Sequence, residues 1–447
     1  MKGYTNLSGW LWGNEACLEG RLQPCTDGGY FSESLQRMND HIAIVGAGLA
    51  GQLTALCLAR QGCRVSLIDR QSLDFLSKMP DQASAPVRVL DHRTTAFSSK
   101  SIAFMTQMGL WEALTPYGCA VHAMHLGAGH SVPQALGQSM TLNREDAGQE
   151  SLAWIVENHA LLTTLREALA AYMASGALSL HGCARVVDVD LSSRHAVIDL
   201  GDQGIIEADL LVGCDGRQSR IRRLCMNDVA THANYQHSAL VGVLSHEVPH
   251  DHVASQMFLG DGPVALLPMN NDADGQARSS LIWSSTSSWV RTMADMSPPA
   301  LATALSDRLG DITGMITAVD SVAAYPLHAA ISARFTAQSV ALVGDAAHAV
   351  HPLAGQGFNL AVGDIQALSD GIQSARHLGQ PIGSALMLEG YGKARQAEAQ
   401  KIFMLTDGLH RLFHRNNPLA TALQRFAFPT LNQAGPLKES LIHLALG

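Results

Sequence analysis

The apolar positions of this chain fall into short unbroken runs and longer helical repeats, and the order in which they alternate predicts the elements. His41–Val45 is a compact apolar run, followed at once by Gly46-Ala47-Gly48-Leu49-Ala50-Gly51. Gln52–Gln61 has helical spacing and Gly62 closes it. Arg64–Ile68 is a second run, ending at Asp69. Runs this short, bounded by turn residues, read as buried strands. The whole predicts a strand–helix–strand unit of about thirty residues.

Further strand-like segments lie at Ala184–Leu191, His195–Leu200, Asp209–Gly213, Ala239–Ser245, Val264–Pro268 and Ser279–Ser284. They predict a mixed or antiparallel sheet in the middle of the chain. Val340–Val343 reads as one more buried strand, and Gly357 to about Arg376 as a helix. From Tyr391 onward the pattern is helical, broken by Pro418, Pro429 and Pro436. Residues 1–40 mix Gly, Ser, Asn and Trp without period. They read as a poorly ordered extension, or as an artefact of the chosen start codon.

Composition narrows the class. A length of 447 residues suits two or three domains, and 47% hydrophobic with 15% charged residues is a globular composition. A net charge of −9 argues against nucleic-acid binding through bulk charge. The eight cysteines form no C-x-x-C pair, so neither a zinc ribbon nor a thioredoxin-like site is expected, and scattered thiols fit a reducing cytoplasm. No apolar run reaches the roughly 18 residues of a membrane-spanning helix, and no apolar h-region follows Lys2. Any membrane contact is therefore expected to be peripheral. Residues 391–447 carry seven Lys/Arg against three Asp/Glu. Amphipathic helices there suit either a docking face for anionic lipid or a protein partner, or a helical cap with a solvated basic face.

The candidate chemistry starts at the first glycine cluster. Gly46 permits a tight turn, Gly48 lets backbone approach a pyrophosphate, and Gly51 lets helix and strand pack closely. The helix start offers free N–H groups and a positive dipole end. Asp69 is placed to accept from a ribose hydroxyl. This unit alone leaves FAD and NAD both open. Two later stretches follow strands with a carboxylate: Asp215-Gly216, before the basic run Arg217, Arg220 and Arg222, and Gly344-Asp345. The second leads through Ala346-Ala347-His348 and His351-Pro352 to Gly355-Gln356-Gly357-Phe358-Asn359, a glycine turn opening a helix. Helix N–H groups there would face a flavin's pyrimidine edge, with Asp345 accepting from ribityl hydroxyls. His348 and His351, three apart, lack an evident third metal ligand and read as loop or flavin-adjacent residues, with no metal expected.

These three motifs resemble those of the FAD-dependent aromatic hydroxylases related to p-hydroxybenzoate hydroxylase. Ala341–Asn359 is closer still to the ubiquinone-biosynthesis hydroxylases. Asp91-His92-Arg93-Thr94-Thr95-Ala96, Leu110-Trp111, Trp154–Asn158, Gly262–Pro268, Tyr325-Pro326-Leu327 and Thr406-Asp407 fit the same family. The resemblance covers roughly residues 41–447. Two departures stand out: Asp69 where the family often has Glu, and Gly363-Asp364 where it more often has Arg-Asp.

The resemblance implies a Rossmann-like FAD-binding domain with an inserted mixed β-sheet substrate domain and C-terminal helices. The FAD-binding domain would be discontinuous, over 41–120, 150–225 and 325–390. Residues 121–149 and 226–324 would form the substrate domain, and 391–447 the helical region. The implied reaction is hydroxylation of a polyprenylated phenol in ubiquinone biosynthesis, with NAD(P)H as electron donor and O₂ as co-substrate, through a C4a-hydroperoxyflavin. By position, Gly46, Gly48, Gly51 and Asp69 would hold the ADP half. Arg93 and Arg166 would lie near the pyrophosphate, and Asp215, Gly216, Gly344 and Asp345 along the ribityl chain. Pro352, Gly355, Gln356, Gly357 and Asn359 would surround the isoalloxazine, and no catalytic base is evident. Gln256, Phe258, Leu267 and Pro268 are candidates for the substrate pocket. Two other readings stay open: a hydroxylase of a small soluble phenol, and a non-catalytic flavoprotein-fold lipid-binding module.

Overall fold

The computed structural model describes residues 40–77, 93–226, 231–350 and 355–414. The expectations for residues 1–39, Asp91, His351, Pro352 and the chain beyond His414 lie outside the described residues.

The chain begins with β1 (His41–Val45), α1 (Leu49–Arg60) and β2 (Arg64–Ile68). Ile42, Ala43, Ile44, Val65, Leu67 and Ile68 are fully buried, which is why these runs are apolar on both faces. β3 (Thr94–Phe97), β4 (Gly118–Val121), β5 (Ala123–Ala128), β6 (Ser139–Asn143) and β7 (Ala153–Glu157) follow. Then come the long helix α2 (Asn158–Ala174) and β8 (Leu178–His181). β9 (Asp188–Asp190), β10 (Ala196–Asp199) and β11 (Ile205–Ala208) make a small antiparallel sheet before β12 (Leu210–Gly213) and α3 (Arg220–Met226).

Long antiparallel strands come next. They are β13 (Thr231–His246), β14 (Val253–Leu259), β15 (Gly262–Met269), β16 (Ala277–Thr286) and, after α4 (Ser287–Ala294) and α5 (Pro298–Thr313), β17 (Ile316–Ile331). The chain returns through β18 (Thr336–Ala337), β19 (Val340–Leu342) and β20 (His348–Ala349) to α6 (Gln356–His377) and α7 (Ala385–His414).

Two large sheets organise this α/β fold. The nucleotide sheet has the order β18-β19-β12-β1-β2-β8, with β19, β12, β1, β2 and β8 parallel. The C-terminal ends of β1, β2, β12 and β19 therefore lie along one edge. They carry Gly46, Asp69, Asp215 and Gly344-Asp345, the crest where open parallel sheets bind ligands. The second sheet, β20-β17-β13-β16-β15-β14-β5-β6, is mostly antiparallel. One of its faces packs on α4, α5 and the short helix Val132–Gly137 through Leu240, Leu244, Met257, Leu266, Leu281 and Trp283.

Some boundaries differ from expectation. Ala184–Leu191 keeps only Asp188–Asp190 as strand, while β14 and β17 lie outside the strand-like segments of the sequence. β17 runs unbroken across the expected domain limit at residues 324 and 325, because it pairs with β13 along its length. In α7, Tyr391 and Ala399 are buried, and the Tyr391 hydroxyl donates to Leu342 O at 2.7 Å. The first part of the C-terminal region is thus a cap packed on the nucleotide sheet.

Candidate functional site

The first glycine cluster divides by role. Gly46 has φ 104°, and a Cβ there would lie 2.4 Å from Cys214 O. A Cβ on Gly51 would lie 1.7 Å from Gly46 O. Both positions are closed by packing against the protein's own backbone. Gly48 is different: its φ is −70° and no heavy atom comes within 4 Å of a Cβ placed there. It begins α1 with bare backbone facing open space.

A groove of about 600 Å³ opens at this point, lined by Gly46, Gly48, Asp69, Asp215, Gly216 and Arg220 among others. Asp69 accepts from Ala47 N at 2.7 Å and Gln71 N at 2.8 Å, which fixes its carboxylate at the end of β2. Each oxygen keeps a lone pair for a further donor. Asp215 lines the same groove as Gly48 and Asp69. Its carboxylate takes the Ser219 hydroxyl at 2.5 Å and Arg220 N at 2.6 Å, capping α3. Gly216, with φ 78°, turns the chain beside it. Arg166 does not line this groove; it sits half-buried on α2.

The third motif lies beside the first. A Cβ on Gly344 would be 3.5 Å from Ala50 Cβ of α1 and 3.3 Å from Ala361 Cβ of α6, so the two glycine turns are neighbours. Asp345 projects from this turn with its side chain half exposed, 3.9 Å from Arg217 Nε. The charges of Arg217, His348 and Arg93 around it favour the ionised carboxylate. Arg93 stands on this side, its guanidinium 5.5 Å over the Tyr325 ring. It does not line the groove around Gly48. Arg217 also donates to Pro326 O at 3.1 Å, tying the Tyr325-Pro326 segment to the cleft.

Gly355 caps α6 in the left-handed conformation, φ 61° and ψ 15°, 3.0 Å by its would-be Cβ from Ala96 of β3. Gln356 is buried behind it, whereas a Cβ on Gly357 would meet nothing within 4 Å among the described residues. Asn359 braces the turn. Its Nδ2 donates to Ala96 O at 2.9 Å and its Oδ1 accepts from Ser98 N at 3.1 Å. Its amide is thus bonded to backbone at Ala96 in β3 and at Ser98 just after it.

Strand alternation sorts the four candidate substrate residues. Gln256 pairs with Ala265 and Phe258 with Pro263, and Leu267 pairs with Ser280. These residues share the face of the sheet opposite α4 and α5. The same face carries Ser280, which accepts from the Thr94 hydroxyl of β3 at 2.9 Å. Phe258 packs in an apolar cluster with Ile155 and partly exposed Ala96 and Leu267. Pro268 pairs with Ser279 and points to the other face, so it does not belong with the other three.

Sequence reasoning missed the charge network behind the third motif. Asp364 is fully buried; its Oδ2 accepts from Gly344 N at 2.9 Å and His348 Nε2 at 2.6 Å, and its Oδ1 accepts from Arg395 Nε at 2.7 Å. Burial works against charge on both partners of the His–Asp pair. Their mutual attraction outweighs it, holding His348 above and Asp364 below their ordinary values. The unusual Gly363-Asp364 pair was the only signal in the sequence. Among the described residues no cluster of His, Cys, Asp or Glu is arranged to hold a metal.

The residues present fit FAD. Gly48 and Gly357 are two bare positions at the starts of α1 and α6, Asp69 lines the groove beside the first, and the Gly344 turn that carries Asp345 packs between Ala50 of α1 and Ala361 of α6. A family profile described as FAD binding domain matches residues 40–406. The chain is similar to ubiquinone hydroxylase UbiL of Rhodospirillum rubrum, 28% identical over 91% of this chain and 89% of that protein. It is equally similar to 3-demethoxyubiquinol 3-hydroxylase of Escherichia coli, 28% identical over 91% and 98%. Ubiquinone biosynthesis monooxygenase COQ6 of Rattus norvegicus is 26% identical over 100% and 98%. Among solved structures, p-nitrophenol 4-monooxygenase PnpA of Pseudomonas putida superposes with a TM-score of 0.69 at 17% identity, covering 91% of this chain and 98% of that one. Klebsiella pneumoniae HpxO, solved with FAD and uric acid, gives 0.64 at 17% identity, covering 91% and 96%. These two likenesses bear on the fold.

Proposed function

Because the chain belongs to the FAD binding domain family, we propose that it is an FAD-dependent monooxygenase that hydroxylates the aromatic ring of a polyprenylated phenol in ubiquinone biosynthesis. The observation that carries the reading is the open Gly48 and Gly357 positions at the starts of α1 and α6, two helices that both pack on the Gly344 turn next to Asp345. The substrate class rests on relatives named for ubiquinone chemistry that match over nearly their whole length.

Bound FAD supplies the redox chemistry, drawing electrons from NAD(P)H and delivering one oxygen atom of O₂ to the ring. The chain's own residues bind and orient. The N–H groups at the start of α1 receive the pyrophosphate past Gly48, and Asp69 accepts from the adenosine ribose. Asp345 accepts from a ribityl hydroxyl, with Arg93 and Arg217 nearby balancing charge. The N–H groups at Gly355–Gly357 would hold the flavin ring, where the positive end of the α6 dipole would favour negative charge. Phe258, Leu267 and Gln256 wall the cleft above, holding the phenol and excluding water.

A polyprenylated phenol dissolves in the bilayer, so this reading has the chain working at the cytoplasmic face of the membrane as a peripheral protein. Purified protein should carry FAD and consume O₂ with NADH or NADPH. Deleting the gene in a ubiquinone-making host should leave a quinone precursor lacking one hydroxyl, identified by mass spectrometry. An unchanged quinone pool, together with NADH oxidation triggered strongly by a small hydroxybenzoate, would assign the chain to soluble phenols instead.

A further inference from the structure

The buried cluster behind the Gly344 turn has a part that comes from far along the chain. Arg395 belongs to α7, yet its guanidinium reaches Asp364 on α6 and donates through Nη2 to Leu360 O at 3.2 Å. Its side chain is 14% exposed, and that of Asp364 is 0%. This approach depends on Gly363. A Cβ there would stand 2.9 Å from Arg395 Nη2 and 3.2 Å from Cζ, and the three nearest atoms to it all belong to Arg395. Gly363 is therefore a notch cut for one side chain. What Arg395 holds, Asp364, in turn holds two groups of the site: the amide of Gly344, next to Asp345, and the ring of His348.

We propose that Arg395 is a positioning residue of the flavin site, seated in the Gly363 notch, which fixes Asp364 and through it the Gly344-Asp345 turn. The inference rests on the FAD reading of that turn. Asp364 has two acceptor oxygens and must aim one at Gly344 N. His348, on the same oxygen as the Gly344 amide, keeps the carboxylate charged, and the Arg395 cation on the other oxygen adds to this and fixes the rotation of the group. Without it, the turn loses a defined partner for its amide, and Asp345 loses its place against the cofactor. α7 thus acts on the site without touching it.

The test is a double-mutant cycle on the full chain, stripped of flavin and titrated with FAD, read by quenching of flavin fluorescence and by the visible spectrum of bound flavin. Gly363→Ala and Arg395→Ala should each weaken FAD binding, on the order of tenfold, and alter the bound spectrum. The double variant should be no weaker than Arg395→Ala alone, because the methyl group added at position 363 then has no guanidinium to displace. Arg395→Lys should recover part of the affinity and the neutral Arg395→Met should not, a split that a merely space-filling role does not give. Far-UV circular dichroism on each protein separates loss of fold from loss of positioning. Wild-type affinity and spectrum in Arg395→Ala, or a full additional Gly363→Ala effect in the Arg395→Ala background, would overturn the inference. Failure of the unaltered chain to bind FAD would instead sink the FAD reading, and this inference with it.

Discussion

At the scale of single residues, the glycines separate ligand binding from folding. Gly48 has ordinary φ and empty space around it, so Gly48→Val is expected to fold with stability within about 1 kcal/mol of the parent, the cost of an altered helix cap. It should lose FAD because the new side chain fills the cradle. Gly51→Ala should fail the other way, since its Cβ would overlap Gly46 O. Parallel denaturation and FAD titration of the two variants check this. A second residue-level expectation concerns pH. Asp364 sits below its ordinary 3.8, so its contribution is present above 3.8 and lost as pH falls through the depressed value. His348 sits above its ordinary 6.5, so its contribution is full below 6.5 and lost as pH rises through the raised value. His41, His122, His181, His246 and His250 are shifted down, chiefly by desolvation, and so favour folding above 6.5. The stability gap between the parent and His348→Gln should therefore be widest in mild acid and narrow as pH rises past neutrality. A gap that widens with pH would contradict the pairing. Asp364→Asn should be costly, about 3–5 kcal/mol, since it strands the Arg395 and His348 groups in the interior.

At the scale of elements, the strand β15 shows what the sequence could and could not tell. Its apolar run was readable, but a run apolar on both faces does not say which residue looks at which layer. Leu266 packs on the helices and is 4% exposed, while Leu267 faces the opposite side of the sheet with Phe258 and Pro268 turns back to the helix side. Leu266→Ala is expected to cost about 2–5 kcal/mol and leave phenol binding intact. Leu267→Trp should change stability little and obstruct the ring site. Urea denaturation beside substrate-triggered NAD(P)H oxidation distinguishes the two, and equal effects on both readouts would undo the assignment of faces. The same limit applies to Asp215 and Asn359. Each stands in a motif that marks a ligand site, and each spends its side chain on backbone N–H and C=O groups that only the folded chain reveals. Arg395 lay further out of reach: nothing local to α7 signals that its side chain enters a notch on the preceding helix. The glycine spacings and strand-end carboxylates were legible because turn geometry and parallel strands impose them locally.

At the scale of the whole molecule, the crest joins parts of the chain that have no other reason to move together. β1 and α1 come from its start, β12 from its middle, and β19 and α6 from its last third, and each contributes one turn to a single line. A ligand that spans the line stabilises all of them at once; one that touches an end does not. FAD at about a hundred times its dissociation constant should add about 2.7 kcal/mol to the folded state. ADP can engage the Gly48 and Asp69 end, and FMN the Asp345 and Gly357 end, but neither bridges them. In thermal denaturation at matched concentrations, FAD is therefore expected to raise the melting temperature well beyond ADP or FMN, and beyond the two together. Removing FAD from the loaded protein should bring the transition back to that of the stripped chain. If FMN alone matched FAD, the adenosine groove beside Gly48 would be idle and the line would not work as one site. On the proposed reading the dinucleotide engages both helix starts, and the Gly344 turn at the end of β19, packed on Ala50 of α1 and Ala361 of α6, is what ties those two helices together.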